Sequence, residues 1–274
     1  NLGIDVVCSE KNLKICSRFT NIDKNFIFKN NFYDIFRIIS KLRIENYDYI
    51  FTFSPGILSI LISIFSKSKT KALLIMQSRY SDNLKSKFIE RVIGKLFYKH
   101  SVLINRKFRF TQIGSIHQTK LMEELVIKSG LEIKENQEIK KEFQFQKYNY
   151  SQKKICLIHL SSKWINKYFL EDQFINLLNR LKKTGKNIVM SSDQSSRQVF
   201  NKIYKKYKKI NNNAFRNLKE INEILILEKL DFNNWTTIIN SSTYVITPEC
   251  GCTHIASLTN CKLCVIYDAD NSPE

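Results

Sequence analysis

A chain of 274 residues with 43% hydrophobic content can bury one large core or the cores of two domains of roughly 100–150 residues each. Its 44 Lys and Arg residues outnumber its 25 Asp and Glu residues, giving a net charge of +19. No apolar run approaches the roughly 20 residues of a transmembrane helix, and no secretion signal opens the chain, so the sequence excludes a membrane-spanning helix and predicts a cytoplasmic protein.

The first half of the chain alternates short apolar runs with helical periodicity. The predicted strands are residues 4–8, 47–53 and 71–76, and the predicted helices are residues 33–42, about 57–65, 84–98 and 117–129. Gly130 is a typical end signal for the last of these helices. Strands that alternate with helices form parallel sheets through crossover connections, so this half is predicted to be an α/β domain.

A polar and charged segment, residues 132–152, separates this domain from a second region with the same pattern. Its predicted strands are residues 155–160, 187–191, 244–247 and 263–267, with a further apolar run at 222–227, and its predicted helices are residues 170–184, 195–207, 232–241 and 252–259. The predicted fold is α/β, with two Rossmann-like doubly wound domains, residues 1–135 and 153–274, that face a cleft and are joined by a linker of residues 136–152. Ligands of such sheets bind at the carboxyl ends of the strands.

The strongest local signal is the turn after the strand of residues 244–247. Pro248 ends this strand, because proline cannot donate to the ladder, and Gly251 lets the backbone come close to a ligand. A helix from about Cys252 leaves its first N–H groups free, and these suit a diphosphate. Glu249 can accept hydrogen bonds from sugar or ribose hydroxyls, and His254 can donate to a phosphate. The alternative is an ordinary strand–turn–helix connection with His254 packed in the core.

Seven cysteines, an odd number, are expected to be reduced thiols of a cytosolic protein. Three of them, Cys8, Cys156 and Cys264, lie in apolar strand-like runs and are expected to be buried. The four others are Cys16, Cys250, Cys252 and Cys261. The spacing of Cys250 and Cys252 before Cys261 and Cys264 invites a zinc site, but the first pair has one intervening residue where structural zinc sites usually have two or more, so no metal is predicted.

The segment YVITPECGCTHIAS at residues 244–257 resembles the signature turn of glycosyltransferase family 9, the lipopolysaccharide heptosyltransferase family. That family typically has T-P/N-D-T/S-G-x-x-H-x-A there. Three other segments match in the same order. These are YDYIF with the following helix at residues 47–65, IHLSSKWINKYF at 158–169, which resembles the family's small-residue loop and K-x-W motif, and TGKNIVM at 184–190. The resemblance covers most of the chain, and the turn is its specific part.

This resemblance implies a GT-B fold in which residues 153–274 hold the donor nucleotide sugar and residues 1–135 face the acceptor. The implied reaction is inverting transfer of heptose or a related sugar, without metal or cofactor, from an ADP-sugar or other nucleotide sugar to an anionic glycolipid of the lipopolysaccharide core or another surface glycan. Lys167 would balance the charge of the leaving diphosphate. The implied donor-binding residues are Ser161, Ser162, Lys167, Thr247, Glu249, Cys250, Gly251, Cys252, Thr253 and His254.

The chain departs from the family pattern at several points. Glu249 replaces the family's Asp, a Gly near Ser161 is absent, and residues 267–270 lack the family's F-G-P-T run. The family's general base is an Asp after the first strand, and we expect it upstream of Asn1, in a chain truncated at both ends. The alternative is therefore a catalytically silent nucleotide-sugar-binding relative or fragment.

The positive charge also suits a polyanion such as nucleic acid or an acidic membrane surface. However, the lysines are scattered, Arg is the minority cation, and no basic-aromatic motif of an RNA-binding module is present. Abundant Lys, Asn, Ile and Phe with little Gly and Pro is the bias of an AT-rich genome. We therefore expect no nucleic-acid partner, although a basic nucleic-acid or membrane-surface protein stays as a second alternative, and peripheral contact with the inner membrane surface stays open.

Overall fold

The computed structural model describes residues 3–29, 31–53, 56–76, 88–104, 118–133, 142–146, 150, 153–192 and 196–267. The chain divides into two compact units. The first comprises Asn1–Ser17 and Asn21–Gln137, and the second comprises Arg18–Thr20 and Glu138–Pro273. Both units are built from parallel strands that alternate with helices, as the sequence pattern predicts.

The first unit contains two parallel sheets, of order β1-β2 and β3-β4-β5. Its elements are β1 (Asp5–Ser9), α1 (Glu10–Cys16), β2 (Lys24–Phe28), α2 (Phe32–Glu45), β3 (Tyr47–Thr52), α3 (Ile57–Phe65), β4 (Ser68–Met76), a π-helical turn (Ile89–Gly94) that runs into α4 (Lys95–Phe97), β5 (His100–Ile104) and α5 (Gln118–Lys128). Gly130 follows α5 with a φ of +90°, which is the left-handed conformation expected of a glycine that ends a helix.

Helix α2 has the clearest helical spacing in the first unit. Its residues Ile35, Ile38, Ile39 and Leu42 recur at three- and four-residue intervals and are all buried, together with Ile62 of α3. This spacing places all four side chains on one side of the helix, where they pack against its neighbours.

The second unit contains one six-stranded parallel sheet of order β11-β10-β6-β7-β9-β8. Its elements are β6 (Ile155–Leu160), a π-helical turn (Trp164–Tyr168), α6 (Glu171–Lys182), β7 (Asn187–Ser192), α7 (Ser196–Val199), α8 (Asn201–Lys206), β8 (Lys208–Asn211), α9 (Asn212–Asn217), β9 (Leu225–Glu228), α10 (Phe232–Asn240), β10 (Tyr244–Pro248), α11 (Gly251–Ser257) and β11 (Lys262–Ile266).

Strand β6 is the centre of this sheet. All six of its residues are buried, as expected for a strand covered on both faces. From β6 the chain continues to β7 on one side, while β10 pairs with the other side of β6. The strand order therefore reverses between β6 and β10, and doubly wound sheets bind their ligands outside the carboxyl ends of the strands at such a point.

Several short elements differ from the prediction. Strands β2, β5 and β8 and helices α1 and α9 were not expected, and β4 begins at Ser68 instead of residue 71. The single helix predicted at 195–207 is two short helices, because Phe200 leaves the helical conformation and its ring is fully buried, with its centroid 5.5 Å from that of Phe174. Much of the helix predicted at 84–98 lies outside the described residues, and its described part is the π-helical turn and α4.

The segment predicted as a linker contributes buried aromatic side chains to the second unit. Phe143 forms a β-bridge with Phe19, and their rings meet edge to face. Tyr150 is buried, and its hydroxyl accepts a hydrogen bond from Nε of Arg216 at 3.0 Å. Polar composition concealed these two packed positions in a stretch that otherwise lies mostly outside the described residues.

The prediction that three cysteines are buried holds for two of them. Cys8 and Cys156 are buried, and burial raises the pKa of the Cys156 thiol to about 11. Cys264 is exposed, so its predicted burial is wrong. It lies in β11, which is at the edge of the sheet.

The described helices include none with the length and apolar character needed to span a membrane.

Candidate functional site

The predicted turn lies at the carboxyl end of β10, on the side where the strand order reverses. Strand β10 ends at Pro248, as predicted, and α11 begins at Gly251. The backbone N–H of Glu249 donates to the carbonyl of Ile266 in the neighbouring β11 at 3.2 Å, which fixes one side of the turn.

Two buried threonines hold the turn from inside. The hydroxyl of Thr247 donates to the carbonyl of Pro248 at 3.0 Å and lies 3.3 Å from Sγ of Cys250. The hydroxyl of Thr253 donates to the same carbonyl at 3.1 Å and accepts from the backbone N–H of Cys250 at 3.4 Å. These side chains are used within the turn, so they contribute to the site by shaping its backbone.

The residues around the start of α11 differ in their exposure to solvent. Gly251 and His254 are exposed, Cys250 is half-buried, and Cys252 is buried. Burial raises the pKa of the Cys252 thiol, so that it stays protonated and packs as a small apolar group. His254 is thus not the packed core residue of the alternative interpretation. Apart from its chain neighbours and the backbone of its own helix, a Cβ atom at Gly251 would meet no atom within 4 Å, so there is open space beside its Cα.

Lys163 joins the loop after β6 to the turn after β10. Its Nζ atom lies 2.9 Å from Oε2 of Glu249 and also donates to the backbone carbonyl of Glu249. Both side chains are partly exposed, so the pair is accessible to solvent at the point where the strand order reverses. An ammonium group and a carboxylate are thereby held together at the place where the fold binds ligands.

The site residues predicted after β6 are Ser161, Ser162 and Lys167, in the same loop and turn as Lys163. Ser161 is buried, and its carbonyl accepts from the backbone N–H of Trp164 at 3.0 Å. Ser162 is half-buried. Lys167 lies in the π-helical turn, and its side chain is outside the part of the chain that the structure describes.

Buried hydrogen bonds of Trp164 and His159 support this loop. Nε1 of Trp164 donates to the carbonyl of His159 at 2.7 Å, and Nδ1 of His159 lies 3.0 Å from Oγ of Ser191 in β7. Trp164 is fully buried against Phe174, with ring centroids 5.2 Å apart. The indole therefore fixes the loop after β6, which contains Ser161 and Lys163.

Sequence reasoning missed Lys163 as a site residue. Lys167 was selected on the resemblance, whereas Lys163 is the first cation after β6. The signal that identifies Lys163 is topological, because the loops that follow two neighbouring parallel strands meet at the same edge of the sheet. Within the described residues, no group of three or more His, Cys, Asp or Glu side chains is arranged to hold a metal ion.

The family model of glycosyltransferase family 9 (heptosyltransferase) matches residues 35–273. The chain belongs to this family. It is therefore a glycosyltransferase, as the turn at residues 244–257 predicts. No curated protein sequence gives a significant match.

Solved structures with a similar fold include three glycosyltransferases. E. coli heptosyltransferase WaaC with ADP superposes with a TM-score of 0.68 at 14% identity, over 97% of this chain and 78% of that chain. The glycosyl transferase family 9 protein from Veillonella parvula DSM 2008 gives 0.66 at 13% identity, over 98% and 73%. E. coli ADP-heptose lps heptosyltransferase II gives 0.57 at 12% identity, over 96% and 75%. At these identities the likeness concerns the fold, and it confirms the predicted α/β fold of the GT-B type for this family 9 chain.

Proposed function

We propose that this glycosyltransferase moves a heptose or a related sugar from a nucleotide diphosphate donor, with inversion, to an anionic glycolipid of the lipopolysaccharide core or another surface glycan. The observation that carries the proposal is the contact of Lys163 with Glu249 across the point where the strand order reverses. The donor class is supported by relatives of the same fold that were solved with ADP and with ADP-2-deoxy-2-fluoro heptose.

The diphosphate is proposed to lie along the backbone at the start of α11. Gly251 supports this placement, since the space beside its Cα is open to an approaching ligand. Exposed His254 is proposed to donate to the diphosphate, and Glu249 is proposed to accept from hydroxyls of the sugar or ribose. The remaining proposed donor-binding residues are Ser161, Ser162, Lys167, Cys250 and Cys252, with Thr247 and Thr253 as supports of the turn.

The proposed chemistry explains why cations belong here. As the acceptor hydroxyl attacks the anomeric carbon, the bond from that carbon to the diphosphate oxygen breaks and negative charge grows on the leaving nucleoside diphosphate. A preorganised ammonium group and backbone N–H donors stabilise this charge more in the transition state than in the ground state. We propose that Lys163 and Lys167 supply this charge without a metal ion. Activity in the presence of EDTA is then the expected result, and full loss of transfer on chelation would contradict it.

Donor binding is tested by thermal unfolding of the protein with ADP-heptose, ADP and UDP-sugars. A ligand that binds only the folded state stabilises it by about 2.7 kcal/mol at a hundredfold excess over Kd, or a rise in Tm of several degrees. We expect this rise with the matching nucleotide sugar, and no rise with any nucleotide sugar would contradict the proposed site.

Transfer itself separates an active enzyme from a silent relative. A protein that binds ADP-heptose but releases no ADP in the presence of a heptose-deficient core glycolipid would fit the nucleotide-sugar-binding alternative. Because the proposed acceptor is a membrane glycolipid, we also propose that the enzyme acts in the cytoplasm, at the inner membrane surface.

A further inference from the structure

Helix α2 carries apolar side chains on its outer side as well as on its inner side. Tyr33, Phe36 and Ile44 are 79%, 69% and 81% exposed. At 100° per residue these three positions fall within about 80° of one another around the helix axis, together with Ser40. They form a stripe roughly 16 Å long, opposite the buried residues of the same helix. We call these four residues the α2 stripe.

Positive charge borders the α2 stripe on both sides. Lys41 lies on one side and Arg43 on the other, and both are exposed. The two acidic groups of the helix are neutralised by neighbours. Asp34 pairs with Arg37 at 2.7 Å, and Glu45 pairs with Lys24 at 2.7 Å. The outer side of α2 therefore presents apolar groups flanked by two exposed cations, Lys41 and Arg43.

A basic pocket lies at the end of the α2 stripe. It has a volume of about 390 Å³ and is lined by Arg43, Lys67 and Lys71, with half-exposed Phe65 at its wall and, among the described residues, no carboxylate in its lining. Nζ of Lys71 donates to the carbonyl of Ile64 at 2.6 Å, and both burial and the charge of Arg43 lower the pKa of Lys71. The pocket is at the amino ends of β3 and β4, where Tyr47 pairs with Ser68. An anion there would relieve the repulsion between Lys71 and Arg43.

We propose that the α2 stripe and this basic pocket form a docking surface for an anionic phospholipid bilayer. The pocket receives a lipid phosphate, the flanking cations attract the acidic surface, and Tyr33, Phe36, Ile44 and Phe65 enter the interfacial layer. Amphipathic helices bind bilayers in this way, through buried apolar area together with attraction to anionic lipids. Nucleic acid is the weaker candidate, because exposed aliphatic groups such as Ile44 add nothing to phosphate binding.

This inference rests on the proposed function, because that function gives the protein a reason to bind a membrane. It adds which surface of the first unit meets the membrane that carries the acceptor. The basic pocket lies at the amino ends of β3 and β4, whereas the proposed donor site lies at the carboxyl ends of β6 and β10 of the second unit. Vesicle binding needs no nucleotide sugar, so failure of docking and failure of donor binding are distinguishable.

The test is co-sedimentation with large vesicles of phosphatidylcholine alone and with roughly 30% phosphatidylglycerol added. We expect binding to the anionic vesicles, at least tenfold weaker binding to the neutral ones, and loss of binding as salt is raised from about 50 to about 500 mM. The double variant Phe36→Ser with Ile44→Ser removes apolar area without altering charge, and we expect it to lower the partition coefficient at least tenfold. Arg43→Glu with Lys67→Glu should lower it by a similar factor.

Matched controls separate this surface from general charge and apolar content. Ile127→Ser removes another exposed apolar side chain of the first unit, and Lys182→Glu with Lys183→Glu makes the same charge change on the second unit. Both controls should bind vesicles within twofold of the unaltered protein, and all variants should keep the Tm rise with the donor. Equal binding by the α2 variants and their controls would overturn the proposal. If the unaltered protein forms a dimer and binds no vesicles, and Phe36→Ser with Ile44→Ser abolishes that dimer, the partner of this surface is a second copy of the chain and the proposal is overturned. Binding to single-stranded RNA but not to vesicles would overturn it in favour of nucleic acid.

Discussion

Lys163 makes two different contacts with one residue. It neutralises the Glu249 carboxylate, and it also holds the Glu249 carbonyl, which is part of the turn itself. The neighbouring N–H of Glu249 is fixed to β11 on the other side. A single side chain thus completes the bracing of the turn that leads into α11, so it combines a positioning role with the proposed contact to the diphosphate.

Replacing Lys163 by methionine keeps most of the apolar stem and removes the ammonium group. We expect Lys163→Met to weaken binding of ADP-heptose about tenfold or more, because a lost charge-assisted hydrogen bond is worth about 1.5–3 kcal/mol. Isothermal titration calorimetry measures this change. Lys202→Met is the control, since Lys202 forms a surface pair with Asp172 and should leave the affinity unaltered. Equal affinities for the two variants would remove Lys163 from the donor site.

Gly251 distinguishes a ligand-binding turn from an ordinary one. Because an added Cβ there would meet no atom within 4 Å apart from its chain neighbours and the backbone of its own helix, Gly251→Val should alter the Tm of the free protein by no more than a few degrees. A bound diphosphate would fill that space, so the same change should abolish the rise in Tm with ADP-heptose, while Gly251→Ala should reduce it. If Gly251→Val binds donor normally, the diphosphate does not approach this backbone.

Among the elements, the π-helical turn after β6 depends on one indole. Trp164 is fully buried and donates to the carbonyl of His159. Trp164→Ala is expected to lower the free energy of unfolding by about 3–5 kcal/mol, as for other large aromatic side chains removed from a core. Trp164→Phe keeps most of the volume but removes the hydrogen-bond donor to the His159 carbonyl, which should lower the free energy of unfolding by about 1–3 kcal/mol. Urea unfolding measures both, and Leu170→Ala, at a side chain that is 70% exposed, should change little.

Several elements were predictable because burial and periodicity agree in them. Strand β6 has the predicted bounds, and α2, α3 and α10 lie within a few residues of theirs. Short elements escaped because their stability comes from tertiary contacts. Strand β8 is a four-residue edge strand with three exposed residues, so its sequence carries no apolar alternation. Phe200 interrupts the helix predicted at 195–207 because its ring packs against Phe174, and residue spacing alone does not reveal this contact.

The site was predictable to the extent that it is local. Residues 247–254 follow one another in the chain, so the strand, the turn and the helix start could be located from Pro248 and Gly251. The partner of Glu249 could not, because Lys163 is 86 positions away and meets it through strand order. The resemblance selected Lys167 on spacing, and the roles assigned to Lys167 and to the other donor-binding residues stay predictions.

For the whole molecule, the dominant electrostatic fact is a net charge of +19. Like charges oppose the compact state, and salt screens them as the Debye length falls from about 30 Å at 0.01 M to about 8 Å at 0.15 M. We therefore expect potassium chloride over this range to raise Tm at pH 7 by roughly 2–4 °C, corresponding to about 1 kcal/mol.

The control for this salt effect is the pH at which the net charge vanishes. Near the isoelectric point of about 9.6, self-repulsion is absent and salt should leave Tm nearly constant. An equal rise at both pH values would assign the effect to ion binding or solvation instead of charge repulsion.

The pairing of Lys163 with Glu249 also means that the protein supplies its own anion to the place proposed for the diphosphate. An incoming phosphate must displace that carboxylate from Lys163. Inorganic phosphate has no sugar hydroxyl that could donate a hydrogen bond to the displaced carboxylate. A nucleotide sugar brings hydroxyl groups to which Glu249 can turn, so the exchange is balanced only for a ligand that carries both halves. Inorganic phosphate and sulfate should therefore compete weakly, and Glu249→Gln should make the site more receptive to them while it loses discrimination. Selectivity would then come from the contact that Lys163 and Glu249 make before a ligand binds.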